Sequence, residues 1–324
     1  MRAVVVRETG GPEVLVVEER PTPEPGRGEI RVDVAAAGLN YIDVYQRSGV
    51  YPLPLPFVAG SEGAGVVSEV GEGVDDVAIG DHVTWAMVGG AGYAEQVVLP
   101  SSRAVPVPDG VDDETAAAAL LQGLTVHYLT RSTFPVQAGQ TALVHAAAGG
   151  VGLLLTQVLT LLGVRVIATT STEAKAALAA QAGADAVIRY DTADVAAEVR
   201  ELTDGLGVHV VYDGVGASTF QGSIDSLRTR GMFVLYGAAS GKVAPVDPTL
   251  LQAKGSLFFT RPTLAHYAAE RDELLERSRE LFGWISSGNL SVRVGARYPL
   301  ERAADAHRDL EARLTTGKSL IVPG

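Results

Sequence analysis

Between Thr141 and Gly152 an apolar stretch, Thr141–His145, runs through three alanines into Gly149, Gly150 and Gly152. Glycines at these spacings do a particular job. Gly149 and Gly150 have no Cβ to hold an anion away from the backbone, and Gly152 lets a following helix approach the strand closely and aim its free N–H groups at a negative charge. The chemistry suited to such a turn is the grip of a pyrophosphate, and the expected guest is a dinucleotide. Ala147 stands where the first glycine of a G-x-G-x-x-G fingerprint falls, so the loop departs from that pattern at one position.

The surroundings supply what the loop lacks. A helical pattern from Val151 to Leu162 and an apolar run from Val164 to Thr169 complete a βαβ unit of about 30 residues, the setting of a Rossmann nucleotide site. An acidic residue about 20 positions beyond the loop would hold an adenine-ribose 2′-hydroxyl. The chain instead reads Thr169, Thr170, Ser171, Thr172, Glu173, Ala174, Lys175. Hydroxyls and a lysine favour NADP(H) over NAD. Thr170 and Glu173 have capping-box spacing, which predicts a helix start that turns its N–H groups, with Lys175, toward a 2′-phosphate. Two other readings stand beside this: Lys175 is a solvated residue of an Ala-rich helix, and Glu173 would oppose a phosphate if it pointed inward.

Composition narrows the setting. The 324 residues are 47% hydrophobic with a formal charge of −12, enough for sizeable cores and contrary to nonspecific attraction to nucleic acid or anionic membrane. Zero cysteines exclude disulfides, thiolate nucleophiles and thiolate-ligated zinc. The six histidines show no ligand-pair spacing, and His82, His127, His145 and His209 read as structural. The start, Met1-Arg2 and a short apolar strand, is too brief for a signal peptide, so cytoplasm is the expected location. Leu143–Ala168 reads as buried strand, helix and strand because His145, Gln157, Arg165 and glycines interrupt it.

The elements that must position these residues follow from periodicity. Short runs at Met1–Val6, Glu29–Ala36, Gly63–Val70, His82–Trp85 and Ala94–Leu99, broken by Gly and Pro, predict a compact sheet or partly open barrel. A helix is expected over Tyr41–Ser48 behind Asn40, and an Ala-rich helix over Glu114–Leu129. Six parallel strands are expected at Thr141–His145, Val164–Thr169, Ala186–Arg189, Val208–Asp213, Met232–Tyr236 and Ser256–Thr260, with Met232–Tyr236 at the sheet edge. A long helix His266–Ser287, a strand Val292–Val294, a helix Leu300–Leu314 and a closing strand Leu320–Val322 finish the chain. That last strand needs a sheet to join, so the first domain is expected to be discontinuous, with the nucleotide domain inserted and the pocket in the cleft. The expected bounds are residues 1–122, 123–262 and 263–324.

The chain resembles the medium-chain dehydrogenase/reductase superfamily, specifically its zinc-free, zeta-crystallin-like quinone oxidoreductase branch. Carrying the resemblance are Gly11–Leu15, Gly38–Asp43, Arg47–Pro52, Gly60–Val67, Gly80–Val83, Gln122–Thr125, the glycine loop, Tyr212–Gly216, Gly255–Leu257 and Thr260–Pro262. It implies a doubly wound parallel Rossmann sheet inserted in a GroES-like β-rich catalytic domain, an NADPH-dependent quinone reductase without zinc, and a homodimer. It also implies cofactor contacts at Asn40, Tyr41, Ile42, Asp43 and Tyr45 near the nicotinamide, and at Tyr128, Gly149, Gly150 and Val151 around the phosphates. Ser171, Lys175 and Tyr190 match the 2′-phosphate and adenine end. Gly214, Ala239, Ser240, Gly241, Lys242, Phe259, Thr260, Arg261 and Arg313 match the remaining rim. Gly214 and Ala238-Ala239 replace more polar residues of close relatives. In zinc-dependent cousins Ser61-Glu62 would be His-Glu.

Hydride transfer asks the protein to hold a nicotinamide about 3–3.5 Å from its acceptor and to exclude water. A quinone is electrophilic already, so one hydrogen-bond donor and a proton supply suffice. Asn40 and Tyr51 are the candidates to bind a quinone oxygen, with Thr125 nearby. The alternatives are that Asn40 only caps its helix and that Tyr51 is an aromatic lid. Reduction of an enone or 2-alkenal C=C bond uses the same hydride geometry, and an NADPH-binding protein without physiological turnover is the reading from another class.

Overall fold

Ile30, Val32 and Val34 turn inward while Asp33 faces water, and this period of two makes the first long strand of the chain. The computed structural model describes all 324 residues, Met1–Gly324. In chain order the first part holds β1 (Arg2–Val6), β2 (Leu15–Glu19), β3 (Glu29–Gly38), α1 (Tyr41–Arg47), β4 (Phe57–Val58), β5 (Glu62–Val70), β6 (His82–Ala86), β7 (Gln96–Pro100), β8 (Val105–Pro106) and α2 (Asp113–Tyr128). The middle holds β9 (Thr141–Val144), α3 (Gly150–Leu161), β10 (Arg165–Thr170), α4 (Glu173–Gln181), β11 (Ala186–Arg189), α5 (Val195–Leu202), β12 (Val208–Asp213) and α6 (Phe220–Ser226). There follow β13 (Leu227–Leu235), α7 (Pro248–Ala253), β14 (Phe258–Thr260), α8 (Leu264–Tyr267), α9 (Arg271–Ser286), β15 (Val294–Pro299), α10 (Ala303–Glu311) and β16 (Lys318–Val322).

The chain packs into two units, one made of Met1–Gln122 with Ala268–Gly324, the other of Gly123–Tyr267. The first is β-rich. A three-stranded sheet runs β2-β1-β4, and a seven-stranded one runs β15-β16-β3-β5-β6-β8 with β7 also on β3. The closing strand β16 pairs antiparallel with β3, Leu320 against Gly38 and Ile321 against Ala37. Its core gathers Trp85, Ile30, Val32, Val83 and Leu99, and the Trp85 indole N–H donates to the Ala91 carbonyl at 2.5 Å.

The second unit is a doubly wound sheet in the order β11-β10-β9-β12-β13-β14, all neighbours parallel. This is the strand order of a dinucleotide fold. Leu143, Ile167, Ile188, Val211 and Phe233 pack with Val199 and Ile224 on one face, while α3 and α4 cover β10 from the other. No helix of the chain is long and apolar enough to cross a membrane.

Four expectations need correction. Met232–Tyr236 is not the sheet edge, because β13 is flanked by β12 and β14, and β14 is the edge. The helix expected over 266–287 is two: α8 ends at Tyr267, and α9 starts after Glu270, whose backbone is extended. The break falls where the chain re-enters the first unit, pinned by Arg103 on the Ala268 carbonyl and Arg271 on the Ser101 and Ala104 carbonyls. The strand expected at 292–294 starts only at Val294, in register with β16. Finally, α4 is capped by Thr172, whose hydroxyl accepts from the Lys175 N–H at 3.3 Å, whereas Thr170, two residues earlier, is the last residue of β10.

Candidate functional site

At the C-terminal end of β9 the backbone of Ala146 enters the left-handed region, φ 51°, a conformation that costs a non-glycine residue about 1–2 kcal/mol. The turn is held by Gly149 N–H on the Ala146 carbonyl at 2.9 Å and Ala147 N–H on the Thr169 carbonyl at 3.1 Å. Helix α3 then starts on Gly149, which has no side chain to cap it, so the N–H groups of the first turn are left for an anion. A Cβ on Gly152 would press into the Ala146 carbonyl and come within 2.6 Å of Ala147 Cα. The glycine thus sets how close α3 sits to the loop. A cradle with these properties fits a pyrophosphate.

Buried polar groups hold the neighbouring strand ends in place. The Asp213 carboxylate, fully buried at the end of β12, accepts from the Val215 and Gly216 N–H groups at 2.7 and 3.0 Å and from the Thr219 and Ser223 hydroxyls at 2.7 and 2.9 Å. His145 lies between Ser223 and Thr169, 3.0 Å from each hydroxyl, and burial lowers its pKa. Since Ser223 gives its proton to Asp213, Nε2 of the neutral ring is the donor and Nδ1 accepts from Thr169. The loops after β12 and β13 are zipped together by Ala239 and Ser240 N–H on the Gly214 and Val215 carbonyls at 3.2 and 2.7 Å. Gly214 faces the Tyr236 ring, which a Cβ would meet at 2.9 Å.

Tyr128 ends α2 just before a π-helical turn, Leu129–Thr133. Its ring stacks on Tyr267 at 4.5 Å and 5°, and burial pushes both its hydroxyl and that of Tyr236 well above the ordinary tyrosine range. Arg261 donates to the Gly237 carbonyl at 3.1 Å. The Phe259 ring turns into the core, 5.2 Å from Phe233. Gly241 has φ 108° and accepts from Ala217 N–H, and Lys242 follows it, exposed. Ser171, Lys175 and Tyr190 sit at the C-terminal ends of β10 and β11 with α4, and Thr125 lies buried on α2.

In the first unit Asn40 is at the start of α1 and 5% exposed. Its amide nitrogen donates to Glu62 at 2.8 Å and to the Gly38 carbonyl at 3.2 Å, and its oxygen accepts from Lys318 at 2.8 Å. Lys318 and Glu62 form an ion pair at 2.5 Å with side chains 1% and 0% exposed. The second Glu62 oxygen takes the Leu121 N–H. Asp43 receives the Asn40 backbone N–H at 2.8 Å and the Ser61 and Tyr93 hydroxyls at 3.1 Å. Burial pushes its pKa up to about 6, against the lowering effect of these bonds and of Lys318. Tyr45 meets Tyr51 edge-on at 5.2 Å and Tyr41 at 6.1 Å. Tyr51 is 41% exposed. Tyr41 donates to the Leu310 carbonyl at 3.1 Å, Ile42 lies between the two on α1, and Arg313 has φ 59°.

The sequence reading missed Lys318, Glu62, Asp213 and Tyr267 as members of these clusters. Asp213 alone had a local signal, since an aspartate followed by two glycines within three residues marks a strand end whose loop N–H groups need an acceptor. Side chains that could hold a metal do not assemble: nowhere do three His, Cys, Asp or Glu residues converge.

Comparison with known proteins follows the same division. The family model of the alcohol dehydrogenase GroES-like domain matches residues 26–109, and that of zinc-binding dehydrogenase matches 150–275. The chain is 47% identical to a quinone oxidoreductase of Pseudomonas aeruginosa over 97% of each protein. It is 41% identical to a 2-haloacrylate reductase of Burkholderia over 99% of this chain and 98% of that one. Among solved structures it superposes on Escherichia coli quinone oxidoreductase complexed with NADPH with a TM-score of 0.98, at 43% identity over 100% of both chains. A mycobacterial protein complexed with NADPH gives a TM-score of 0.97 at 52% identity, again over 100% of both.

Proposed function

This chain belongs to the quinone oxidoreductase branch of the medium-chain dehydrogenase/reductase superfamily, and we propose from that premise that it reduces quinones with NADPH and without a metal. The observation that carries the reading is the side-chain-free start of α3 on Gly149, at the end of the central strand of a doubly wound sheet. NADPH, when bound, supplies the hydride; quinone, NADPH and one proton become hydroquinone and NADP⁺.

The chain's own residues bind and orient. Gly149, Gly150 and Val151 receive the pyrophosphate, and Ser171, Lys175 and Tyr190 the adenosine end with its 2′-phosphate. Tyr128 borders the phosphates, the zipped loops behind Gly214 and Ala239–Lys242 with Thr260 and Arg261 form the remaining rim, and Asn40–Tyr45 border the nicotinamide. We assign the contact to a quinone oxygen to Tyr51 ahead of Asn40, because both amide protons of Asn40 are already shared with Glu62 and Gly38. Tyr45, edge-on to Tyr51, holds that ring for a flat acceptor. A cytoplasmic homodimer joined along β14 completes the proposal.

A second reading, reduction of an electron-poor C=C bond, is favoured by the similarity to the 2-haloacrylate reductase. Turnover separates the two: NADPH oxidation is followed with 1,4-benzoquinone, 9,10-phenanthrenequinone and a 2-alkenal, with the enzyme-free rate subtracted. Quinone turnover above background is expected; consumption only with the alkenal would transfer the assignment to the second reading. Chelators should leave the rate unchanged, and inhibition reversed by added zinc would overturn the metal-free mechanism.

A further inference from the structure

Arg189 closes β11 directly beside Thr170, which closes β10; the two are register partners in the parallel pair. The Tyr190 N–H donates to the Thr170 carbonyl at 3.2 Å. The guanidinium therefore leaves the sheet at the level of Ser171, Thr172 and the first turn of α4. Asp191 grips one edge of it, Nε at 3.3 Å and one terminal nitrogen at 2.7 Å. The other terminal nitrogen, Nη1, reaches a Glu173 carboxylate oxygen at 3.5 Å.

These two contacts are unlike in kind. Asp191 is two-pronged and fixes the plane of the guanidinium. Glu173 is the first residue of α4, its side chain is 84% exposed, and its contact is long and single. An exposed ion pair of this kind contributes about 0–1 kcal/mol, whereas a phosphate dianion forms short, charge-assisted bonds with a guanidinium. Asp191 thus aims Nη1 at the helix start, and Glu173 occupies it only weakly. At the same strand end the Thr170 hydroxyl is buried without a partner, a polar atom that the protein by itself does not satisfy.

We propose that Arg189 determines the preference for the 2′-phosphorylated carrier, and that Glu173 is a built-in competitor which yields Nη1 when the phosphate arrives. The inference rests on the NADPH reading above. It also resolves what Glu173 does beside a phosphate site: its charge is absorbed by Arg189 until it is displaced.

The test is equilibrium binding by calorimetry to the full-length chain, with NADPH, NADH, adenosine 2′,5′-bisphosphate and adenosine 5′-monophosphate as probes. Arg189→Gln is expected to weaken NADPH and the bisphosphate roughly tenfold, the lower end for loss of a hydrogen bond to a charged group, and to leave NADH and the monophosphate unchanged. Arg189→Lys should recover part of the loss, and Glu173→Gln should tighten both phosphorylated probes about threefold. Equal loss for phosphorylated and unphosphorylated probes, or an unchanged NADPH to NADH ratio in Arg189→Gln, would overturn the role of Arg189 while leaving the NADPH reading intact. Failure of the unmodified protein to bind NADPH would remove both. Because Arg189 is surface-lying, unfolding midpoints of the variants should match that of the parent chain; a lowered midpoint with parallel loss of all four probes counts against the proposal.

Discussion

Lys318 and Glu62 place opposite charges with no exposed surface to speak of, and Asn40 bonds to both. Taking both ions out of water is costly, so the pair adds little net stability, but removing one partner strands the other. Lys318→Met is therefore expected to cost about 3–5 kcal/mol in urea unfolding. Adding Glu62→Gln should return much of that loss, since the carboxylate stranded by the first change is then neutral; a double variant worse than the single would refute the argument. Asp43 makes a pH-dependent contribution beside them. Its folded pKa of about 6 lies above the unfolded value near 4, so the folded state holds the proton more tightly. Stability from this group is greatest below pH 4 and is lost as pH rises toward 6, on the order of 3 kcal/mol in all. The neighbours that could blur this are Lys318, Tyr93, Glu62, and His307, which burial holds near 3. Subtracting the Asp43→Asn stability curve from that of the parent chain between pH 4 and 7 should give a falling difference; a flat one would exclude Asp43 as its source.

At the scale of the element, the loop from β9 into α3 was legible because its requirements are local. An apolar run, adjacent glycines and a helical period follow one another without a gap from Thr141 to Leu162, and each has its own steric reason. Gly152 shows how narrow the tolerance is. A methyl group there would strike Ala146 and Ala147 and push α3 outward, so Gly152→Ala should cost about 1–3 kcal/mol of stability. The same variant should weaken NADPH and NADH by equal factors, because the pyrophosphate is common to them. Calorimetry with both carriers checks this, and selective loss of NADPH would contradict it. What could not be read locally depends on partners far off in the chain. Glu62 and Lys318 meet across 256 positions, and the Tyr128–Tyr267 stack joins the two ends of the second unit. The split between α8 and α9 is of the same kind, since no glycine or proline between Tyr267 and Arg271 announces it and only the return of the chain to Arg103 and Ser101 imposes it. The cap of α4 was misplaced by two residues because Thr170 and Thr172 are chemically alike and only the depth of β10 distinguishes them.

For the whole molecule the informative feature is an unfinished sheet. The periodicity that marks Met232–Tyr236 as a strand carries no sign of its place in the order, and the short β14 adds itself outside it. Beyond β14 the sheet has no further strand, so the backbone groups on its outer side are open to pairing, a liability that soluble proteins cover. Phe258 on this strand is 56% exposed, an apolar ring where a monomer would gain from a charge. A second copy related by a twofold axis meets both needs, since the same strand offers itself to its twin and the interface closes without leaving a free edge. We therefore expect light scattering after size-exclusion chromatography to give twice the chain mass of 33.7 kDa. Phe258→Lys puts a charge of the kind that blocks edge pairing on that strand and should give the single-chain mass. If the parent chain runs as a monomer, or if Phe258→Lys stays dimeric, β14 is not the seam.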